Sequence, residues 1–421
     1  MSTNKLFYGW KIVGVSIIGL ATGWAAIGIF SFGAFIKPLE LEFGWQRGEI
    51  SLALAVINLT GIAMAPILGF LVDKHGVRKI LLPSSLMLGL LTASLFFLSS
   101  NLWHFYGIWF LVAVLGCAAT PLSYSKVIVK WFDRKRGIAL GLGLAGVGFG
   151  AALMPPFAQA LISAYGWRVA YFGLGALVVF IGFPMLFFFL RNSPEQMGLR
   201  SDGDPVTNET KTNTLLIGYT VQETIRQKSF WLMIGIFLCI GMVVTSIIVH
   251  LIPMLVERGF EPSKAAQGQA FLGLSLIFGR VFAGYLMDRF FAPHVSIAFM
   301  IGPAIGVAIL ASGVSGPIVF LAIILVGMAI GAEFDVMGYL TSRYSGLLSY
   351  GLIFGFLFSA FELGAAIGSV AMGYCHDITG EYTIILWIMS GLALFACFLT
   401  SMLGAYPELP EKELASAGQT A

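Results

Sequence analysis

One arginine lies deep inside a long apolar stretch of this sequence. Arg280 stands eight residues before Asp288, which ends the stretch, so helical rise places it roughly 12 Å from that end. Inserting an arginine at the centre of a membrane helix costs roughly 2.5–3.5 kcal/mol, so its guanidinium must face water and an anion. The planar donors of a guanidinium match a carboxylate. We expect Arg280 to bind a substrate carboxylate; the alternative is an internal ion pair with Glu333 or Glu362.

Three further ionisable side chains in apolar stretches are candidates for carrying a proton. His250 lies three residues before Pro253, and histidine gains and loses a proton near neutral pH. It can serve as a proton carrier, donate a hydrogen bond to a ligand, or simply pack. Glu333 and Glu362 are the other candidates, since acids in lipid must face partners or water. A structural ion pair is the alternative for both.

Hydroxyl and amide groups in apolar stretches are candidate hydrogen-bond donors to the same ligand. Tyr124 shares its stretch with Thr120 and Ser123 at spacings that can fall on one helix face. We expect Tyr124 and Asn58 to contact a bound ligand. Contacts with neighbouring helices are the alternative for both.

These side chains must be positioned by helices that cross a membrane. The sequence has 58% hydrophobic and 11% charged residues, whereas a soluble domain has about 25% charged residues. A spanning helix needs about 20 mostly apolar residues. Twelve such stretches are predicted, in two sets of six, at about 11–36, 49–72, 79–99, 103–130, 137–164 and 168–190, then 229–256, 264–287, 295–313, 316–342, 349–374 and 382–404.

The two sets of six carry related sequences about 215 residues apart. The phrase PLELEFGW at 38–45 recurs as PMLVERGF at 253–260, and Gly69 and Asp73 recur as Gly284 and Asp288. Repeated halves are typical of secondary transporters. We therefore predict an all-α membrane protein in two pseudo-symmetric six-helix bundles, at 1–191 and 229–404. A polar linker at 192–228 joins them, and a tail follows at 405–421.

Lysine and arginine are distributed unequally between the two sides of these spans. If the N-terminus is inside, most of the 24 lysines and arginines fall on the inner side. Positive residues favour the cytoplasmic side. We therefore predict a multi-pass protein of the cell membrane, in bacteria the inner membrane, with both termini cytoplasmic.

The segment GFLVDKHGVRK after the second span resembles the loop motif of the major facilitator superfamily, through Gly69, Asp73, Gly76, Arg78 and Lys79. The resemblance covers about 8–404 and implies that the halves rock about a central site. It also implies a cytoplasmic gate that includes Asp73, Arg78, Asp288 and Arg289. We expect Asp335 and Arg343 to form a charge network with these residues; a proton site is the alternative for Asp335. In such a gate, Asp73 would cap the eleventh span and Asp288 the fifth, since a helix N-terminus favours an anion.

A finer resemblance is to monocarboxylate transporters and the related oxalate–formate exchangers. It rests on WFDRKRGIALGLGLAGVGFG at 131–150 and on Arg280, which occupies the place of their substrate arginine. Leu276 stands where animal monocarboxylate carriers have an aspartate. An apolar segment near Phe30 replaces their first-helix lysine, and Leu357 lies near the place of the exchangers' lysine. Neither coupling scheme can therefore be carried over to this chain.

The function predicted is secondary transport of a small organic anion, a monocarboxylate such as lactate, together with protons, by a monomer. The alternatives are exchange of one organic anion for another, efflux of amphipathic drugs, and a membrane nutrient sensor. Dispersed cysteines and the absence of catalytic motifs predict no enzyme, no catalytic residue, no metal and no cofactor. A net charge of +3 without a basic stripe predicts no nucleic-acid partner.

Overall fold

Long apolar α-helices make up most of the chain in a computed structural model, which describes residues 7–203 and 216–412. Ten helices in these ranges are long and apolar enough to cross a membrane. The predicted fourth and eighth spans contain the shorter apolar helices Leu102–Leu115 and Phe271–Met287. The all-α class is confirmed. Parts of the predicted linker and tail, at 204–215 and 413–421, lie outside the described residues.

The described chain divides into two compact units. The first comprises the described residues of Met1–Arg134 and Leu142–Lys211, and the second those of Lys135–Gly141 and Thr212–Ala421. The second unit therefore includes a short segment from the start of the predicted fifth span.

The helices of the first half are α1 (Tyr8–Ala21), α2 (Gly33–Phe43), α3 (Arg47–His75), α4 (Val77–Ser94), α5 (Leu102–Leu115), α6 (Pro121–Trp131), α7 (Arg136–Leu144), α8 (Gly146–Tyr165), α9 (Trp167–Leu177) and α10 (Phe183–Phe189). Those of the second half are α11 (Val221–Ile225), α12 (Lys228–Glu257), α13 (Pro262–Met287), α14 (Ala292–Ala311), α15 (Ile318–Tyr344), α16 (Tyr350–Thr379) and α17 (Thr383–Ser401).

Single glycines form two of the shortest connections between helices in the first unit. Gly76 separates α3 from α4 with φ +83°, and Gly166 separates α8 from α9 with φ +85°. Residues with a Cβ rarely adopt such φ angles, so glycine allows one helix to end and the next to begin within one residue.

The first and fourth predicted spans are interrupted in the middle. The fourth is divided into α5 and α6 at residues 116–120, where Pro121 occupies the first turn of α6. The first span leaves α1 at Ala21 and continues as π-helix over Ala26–Phe30. The two breaks are in contact, since the backbone N–H of Trp24 donates a hydrogen bond to the Ala119 carbonyl at 3.2 Å. The backbone N–H and C=O groups of irregular segments inside a membrane protein must be hydrogen-bonded to protein or water. The bond between Trp24 and Ala119 provides one of these partners.

Helices α13 and α15 approach each other through small residues. Gly327 and Gly331 are four residues apart on α15, and they lie against the Leu272 and Leu276 carbonyls of α13. Gly279 of α13 lies in the same way against Met328. Small residues at this spacing let helix backbones come close in membranes. This contact, which we call the glycine seam, fixes the register between α13 and α15.

Two short strands join the two ends of the second unit. Strand β1 (Leu216–Ile217) pairs antiparallel with β2 (Glu411–Lys412), so that Leu216 faces Lys412. The pairing extends through Gly218, whose N–H donates to the Pro410 carbonyl at 3.0 Å. A segment of the predicted linker is therefore hydrogen-bonded to the predicted tail.

The glycine seam predicts a stability defect for Gly331→Ala. The added Cβ would meet the Leu276 carbonyl oxygen and lie 2.8 Å from the Arg280 backbone nitrogen, and neither can rotate away. Overpacking of this kind costs about 1–3 kcal/mol. We expect a lower thermal unfolding midpoint in detergent, measured by intrinsic fluorescence.

Gly273→Ala is the matched control, because a Cβ at Gly273 of α13 meets open space. Alanine has the higher helix propensity, so this variant should be as stable as the parent or more so. Equal midpoints for the two variants would contradict the close approach of α13 and α15.

Candidate functional site

The guanidinium of Arg280 is buried in the second unit beside Asp335. Its Nε lies 3.4 Å from Asp335 Oδ2, and the two side chains are 2% and 0% exposed. The same Nε donates a hydrogen bond to the Gly331 carbonyl at 2.9 Å. The structure thus places an acid of α15 against the arginine of α13. Glu333 and Glu362, named above as alternative partners of Arg280, do not hold this place.

The position of Asp335 follows from the glycine seam. Gly327, Gly331 and Asp335 are successive residues at a spacing of four, and residues four apart share one face of a helix. The two glycines press this face against α13, so Asp335 meets the next turn of α13, which carries Arg280. The gate prediction grouped Asp335 with Arg343 at the cytoplasmic end. The structure instead gives Asp335 a buried ion pair with Arg280.

Glu333 lines a small cavity of the second unit. The cavity has a volume of about 10 Å³ and is lined mainly by apolar side chains of α12, α14 and α15, including Phe237, Phe299 and Met300. Oε2 of Glu333 is buried without a hydrogen-bond partner among the described residues. The charges that act on Glu333 come from Arg280, Glu362 and Asp335, so the predicted proton candidates Glu333 and Glu362 belong to one electrostatic cluster with the arginine.

His250 occupies a different part of the second unit. Its Nε2 lies 3.1 Å from the Ser369 carbonyl of α16, and its Nδ1 lies 3.5 Å from the Tyr382 hydroxyl. Tyr382 also stacks on His376, whose Nε2 lies 3.0 Å from Glu257. His250 therefore belongs to a polar group that links α12, α16 and the start of α17.

Tyr124 and Asn58 lie in the first unit. Tyr124 is completely buried on α6, and its ring packs over Gly19 of α1. Its hydroxyl, like that of the neighbouring Ser123, has no hydrogen-bond partner among the described residues. Asn58 is exposed on α3. Two buried hydroxyl groups thus remain available beside the break between α5 and α6, which fits the ligand contact predicted for Tyr124.

The loop-motif aspartate of the first unit forms an ion pair with a lysine. Asp73 at the end of α3 contacts Lys126 of α6, and the Lys126 side chain is 3% exposed. Asp73 compensates the charge of the Lys126 ammonium group inside the unit. The cap that Asp73 would give the eleventh span stays a prediction.

Arg78 of the loop motif joins the start of α4 to the end of α10. Its guanidinium donates to the Leu190 carbonyl at 2.9 Å and to the Phe187 carbonyl at 2.6 Å. Its backbone N–H donates to the Asn192 side chain at 2.8 Å. Cations near a helix C-terminus satisfy carbonyls that have no partner within the helix. Arg78 therefore stabilises the first unit; its predicted place in a gate stays a prediction.

Asp288 accepts two hydrogen bonds from the backbone at the start of α7. The Gly137 N–H lies 2.6 Å from Oδ1 and the Ile138 N–H lies 2.9 Å from Oδ2. The predicted contact is present, and the helix N-terminus favours the carboxylate. Burial nevertheless raises the pKa of Asp288, although the two N–H groups and the charges of Arg136 and Arg343 favour its anion.

Three arginines, Arg136, Arg289 and Arg343, belong to the same region of the second unit as Asp288. Arg136 donates to the Ser342 hydroxyl at 3.0 Å. Arg343 lies over the ring of Tyr339, and Arg289 lies over that of Tyr285 at 4.2 Å. Arg136 is a member of the group that the gate prediction did not name, although it stands directly before Gly137 in the sequence.

Apolar helices that enclose charged and polar side chains in each of two repeated units define a polytopic membrane transporter. The chain belongs to the Major Facilitator Superfamily, whose sequence pattern matches residues 18–348. The prediction of a transporter rather than an enzyme is confirmed.

The relatives of this chain include carriers of small anions. Monocarboxylate transporter 13 of rat is 25% identical over 406 residues, covering 92% of this chain and 87% of the relative. The probable sulfoacetate transporter SauU of Cupriavidus necator is 24% identical over 403 residues, covering 86% of this chain and 87% of the relative.

A solved structure shows the same fold. The crystal structure of the fucose:proton symporter FucP of Escherichia coli matches 94% of this chain and 99% of its own, with a TM-score of 0.71 and 15% identity. The predicted architecture of the superfamily is thereby confirmed.

The buried ion pair predicts a non-additive effect on stability. Arg280→Gln and Asp335→Asn each leave one buried charge without its partner, which typically costs about 3–5 kcal/mol. The double variant removes both charges, so we expect its thermal unfolding midpoint in detergent to exceed that of either single variant.

Arg289→Gln provides the control, since this exposed arginine follows α13 directly and its loss should change the midpoint little. If the defects of the two single variants simply add in the double variant, the two side chains do not form an ion pair.

Proposed function

We propose that this protein is a secondary transporter of a small organic anion, a monocarboxylate such as lactate, moved together with a proton. The observation that carries the proposal is the guanidinium of Arg280, which is buried in an apolar helix bundle beside the Asp335 carboxylate. A guanidinium binds a carboxylate through two parallel hydrogen bonds, which a lysine ammonium cannot copy. Arg280 is accordingly the substrate residue of the proposal.

The relatives support an anionic substrate. Two of them carry names that specify monocarboxylates and sulfoacetate, and their similarity extends over more than four fifths of this chain. A proton that travels with a monocarboxylate offsets its charge. Coupled transport therefore moves no net charge through the apolar interior of the protein.

Hydrogen bonds from Tyr124, His250 and Asn58 complete the proposed substrate contacts. The Tyr124 hydroxyl is buried without a partner among the described residues, as expected of a donor that serves a ligand. His250, Glu333 and Glu362 are the proton-carrying residues expected from the sequence. The gate consists of Asp73, Arg78, Asp288, Arg289 and Arg343.

The protein is proposed to act as a monomer in the cell membrane, the inner membrane in bacteria, with both termini cytoplasmic. Access would alternate by rocking of the two halves about the substrate site. These statements rest on the distribution of positive residues and on the resemblance to the superfamily.

Arg280→Gln is expected to reduce the uptake of labelled L-lactate into proteoliposomes by at least about tenfold, because a hydrogen bond to a charged group contributes roughly 1.5–3 kcal/mol. The outside is buffered more acidic than the inside. Arg280→Lys should restore little of the loss, since its ammonium lacks the planar arrangement of donors.

Lys264→Gln is the matched control. It removes one positive charge from the outer end of the same helix, where Lys264 is exposed, and uptake should be unchanged. Lactate uptake that persists in Arg280→Gln would refute the substrate role of Arg280. Exchange of lactate for lactate without any response to the pH gradient would favour an anion exchanger.

A further inference from the structure

The ion pair between Arg280 and Asp335 is enclosed but loosely bonded. The distance of 3.4 Å between Nε and Oδ2 exceeds the 2.7–2.9 Å typical of a strong charge-assisted hydrogen bond. Neither oxygen of Asp335 has a hydrogen-bond partner among the described residues. The Asp335 carboxylate is therefore stabilised by the nearby positive charge and by little else.

Any anion that occupies Arg280 removes that stabilisation. The guanidinium of Arg280 is the positive group that the described structure places beside Asp335. Asp335 is fully buried, and burying an uncompensated carboxylate is so costly that such a group takes up a proton instead. Binding of a second carboxylate at Arg280 therefore disfavours the ionised form of Asp335 and favours its protonation.

We propose that Asp335 is the residue that couples transport to the proton. This inference rests on the proposed function and specifies its coupling group. A substrate carboxylate binds Arg280 in place of Asp335, and one Asp335 oxygen takes a proton from the side to which the site is open. When the substrate leaves on the other side, Asp335 releases the proton there and pairs with Arg280 again. One anion and one proton cross together, and no net charge moves.

The other titratable groups nearby lack this arrangement. Glu333, on the same helix, lines a cavity whose lining from α12 and α14 is apolar apart from Ser296. The charge of Glu362, on α16, acts on Glu333. His250 lies against the Ser369 carbonyl and Tyr382. Asp335, by contrast, forms the ion pair with Arg280. A ligand bound at Arg280 therefore changes the surroundings of Asp335 more directly than those of the other three groups.

Asp335→Asn separates coupling from substrate binding. Asparagine has nearly the same shape but carries no charge and takes up no proton. In proteoliposomes, we expect exchange of labelled for unlabelled L-lactate at equal pH to stay within a few-fold of the parent. Accumulation driven by an acidic outside should fall at least tenfold. The half-saturating lactate concentration for exchange should decrease, because the competitor for Arg280 is gone.

Glu333→Gln, Glu362→Gln and His250→Gln are the comparison variants, because the sequence names these residues as proton carriers. In each of them the ratio of pH-driven accumulation to exchange should equal that of the parent, whatever the change does to lactate binding. Lys264→Gln, at an exposed residue outside the proposed machinery, is the control for unchanged activity. Proton uptake on binding is the second measurement, made on purified protein in weakly buffered detergent with a pH-sensitive dye. The parent should take up about one proton per lactate bound, and Asp335→Asn should bind lactate without taking up protons.

Accumulation by Asp335→Asn that matches the parent would overturn the inference, as would uptake of a proton when this variant binds lactate. Loss of accumulation in one comparison variant, with exchange intact, would assign coupling to that residue instead. If Asp335→Asn elutes as folded, monodisperse protein and yet neither exchanges nor binds lactate, Asp335 is part of the binding site and the competition is refuted; Arg280→Gln/Asp335→Asn, which lacks the unpaired charge, controls for loss of stability. Failure of the proposed function looks different, because the parent itself would then show no Arg280-dependent uptake of lactate.

Discussion

A positive charge inside an apolar helix bundle needs a negative group to compensate it. Arg280 is such a charge, and Asp335 compensates it. The compensating acid comes from a neighbouring helix, not from the helix of the arginine. The relation between α13 and α15 therefore decides whether the charges meet. The glycine seam fixes that relation, since Gly327 and Gly331 allow the backbones to approach closely enough for the next residue on the same face, Asp335, to reach Nε.

The two loop-motif aspartates each join the end of one helix to a neighbouring helix of the same unit. Asp73 and Asp288 occupy equivalent places in the repeat. Asp73, at the end of α3, pairs with the ammonium group of Lys126 on α6. Asp288, after α13, accepts from backbone N–H groups at the start of α7. A carboxylate accepts from both kinds of donor, so one acid can hold either junction.

Much of the fold could be predicted from the sequence, because the length of apolar stretches and the recurrence of motifs at one offset are direct signals. The contact of Asp288 with α7 was predicted because a helix N-terminus favours an anion. The partner of Arg280 was not, since a pairing between helices depends on their rotation. A signal for that rotation does exist: the spacing Gly327, Gly331, Asp335 marks one face, and Glu333 falls on another. The break between α5 and α6 was missed because an apolar stretch gives little indication of where its backbone bends. Pro121, at the first turn of α6, was the available cue.

The pairing of β1 with β2 has a consequence for the topology of the second unit. At the start of its continuous segment 216–412, Ile217 lies opposite Glu411 near the end of that segment. Chain segments whose ends adjoin tolerate being joined there and opened elsewhere, because no packed segment has to be displaced. The segment 216–412 is therefore suited to circular permutation, with new ends placed in an exposed loop such as Ser312–Ser315 between α14 and α15.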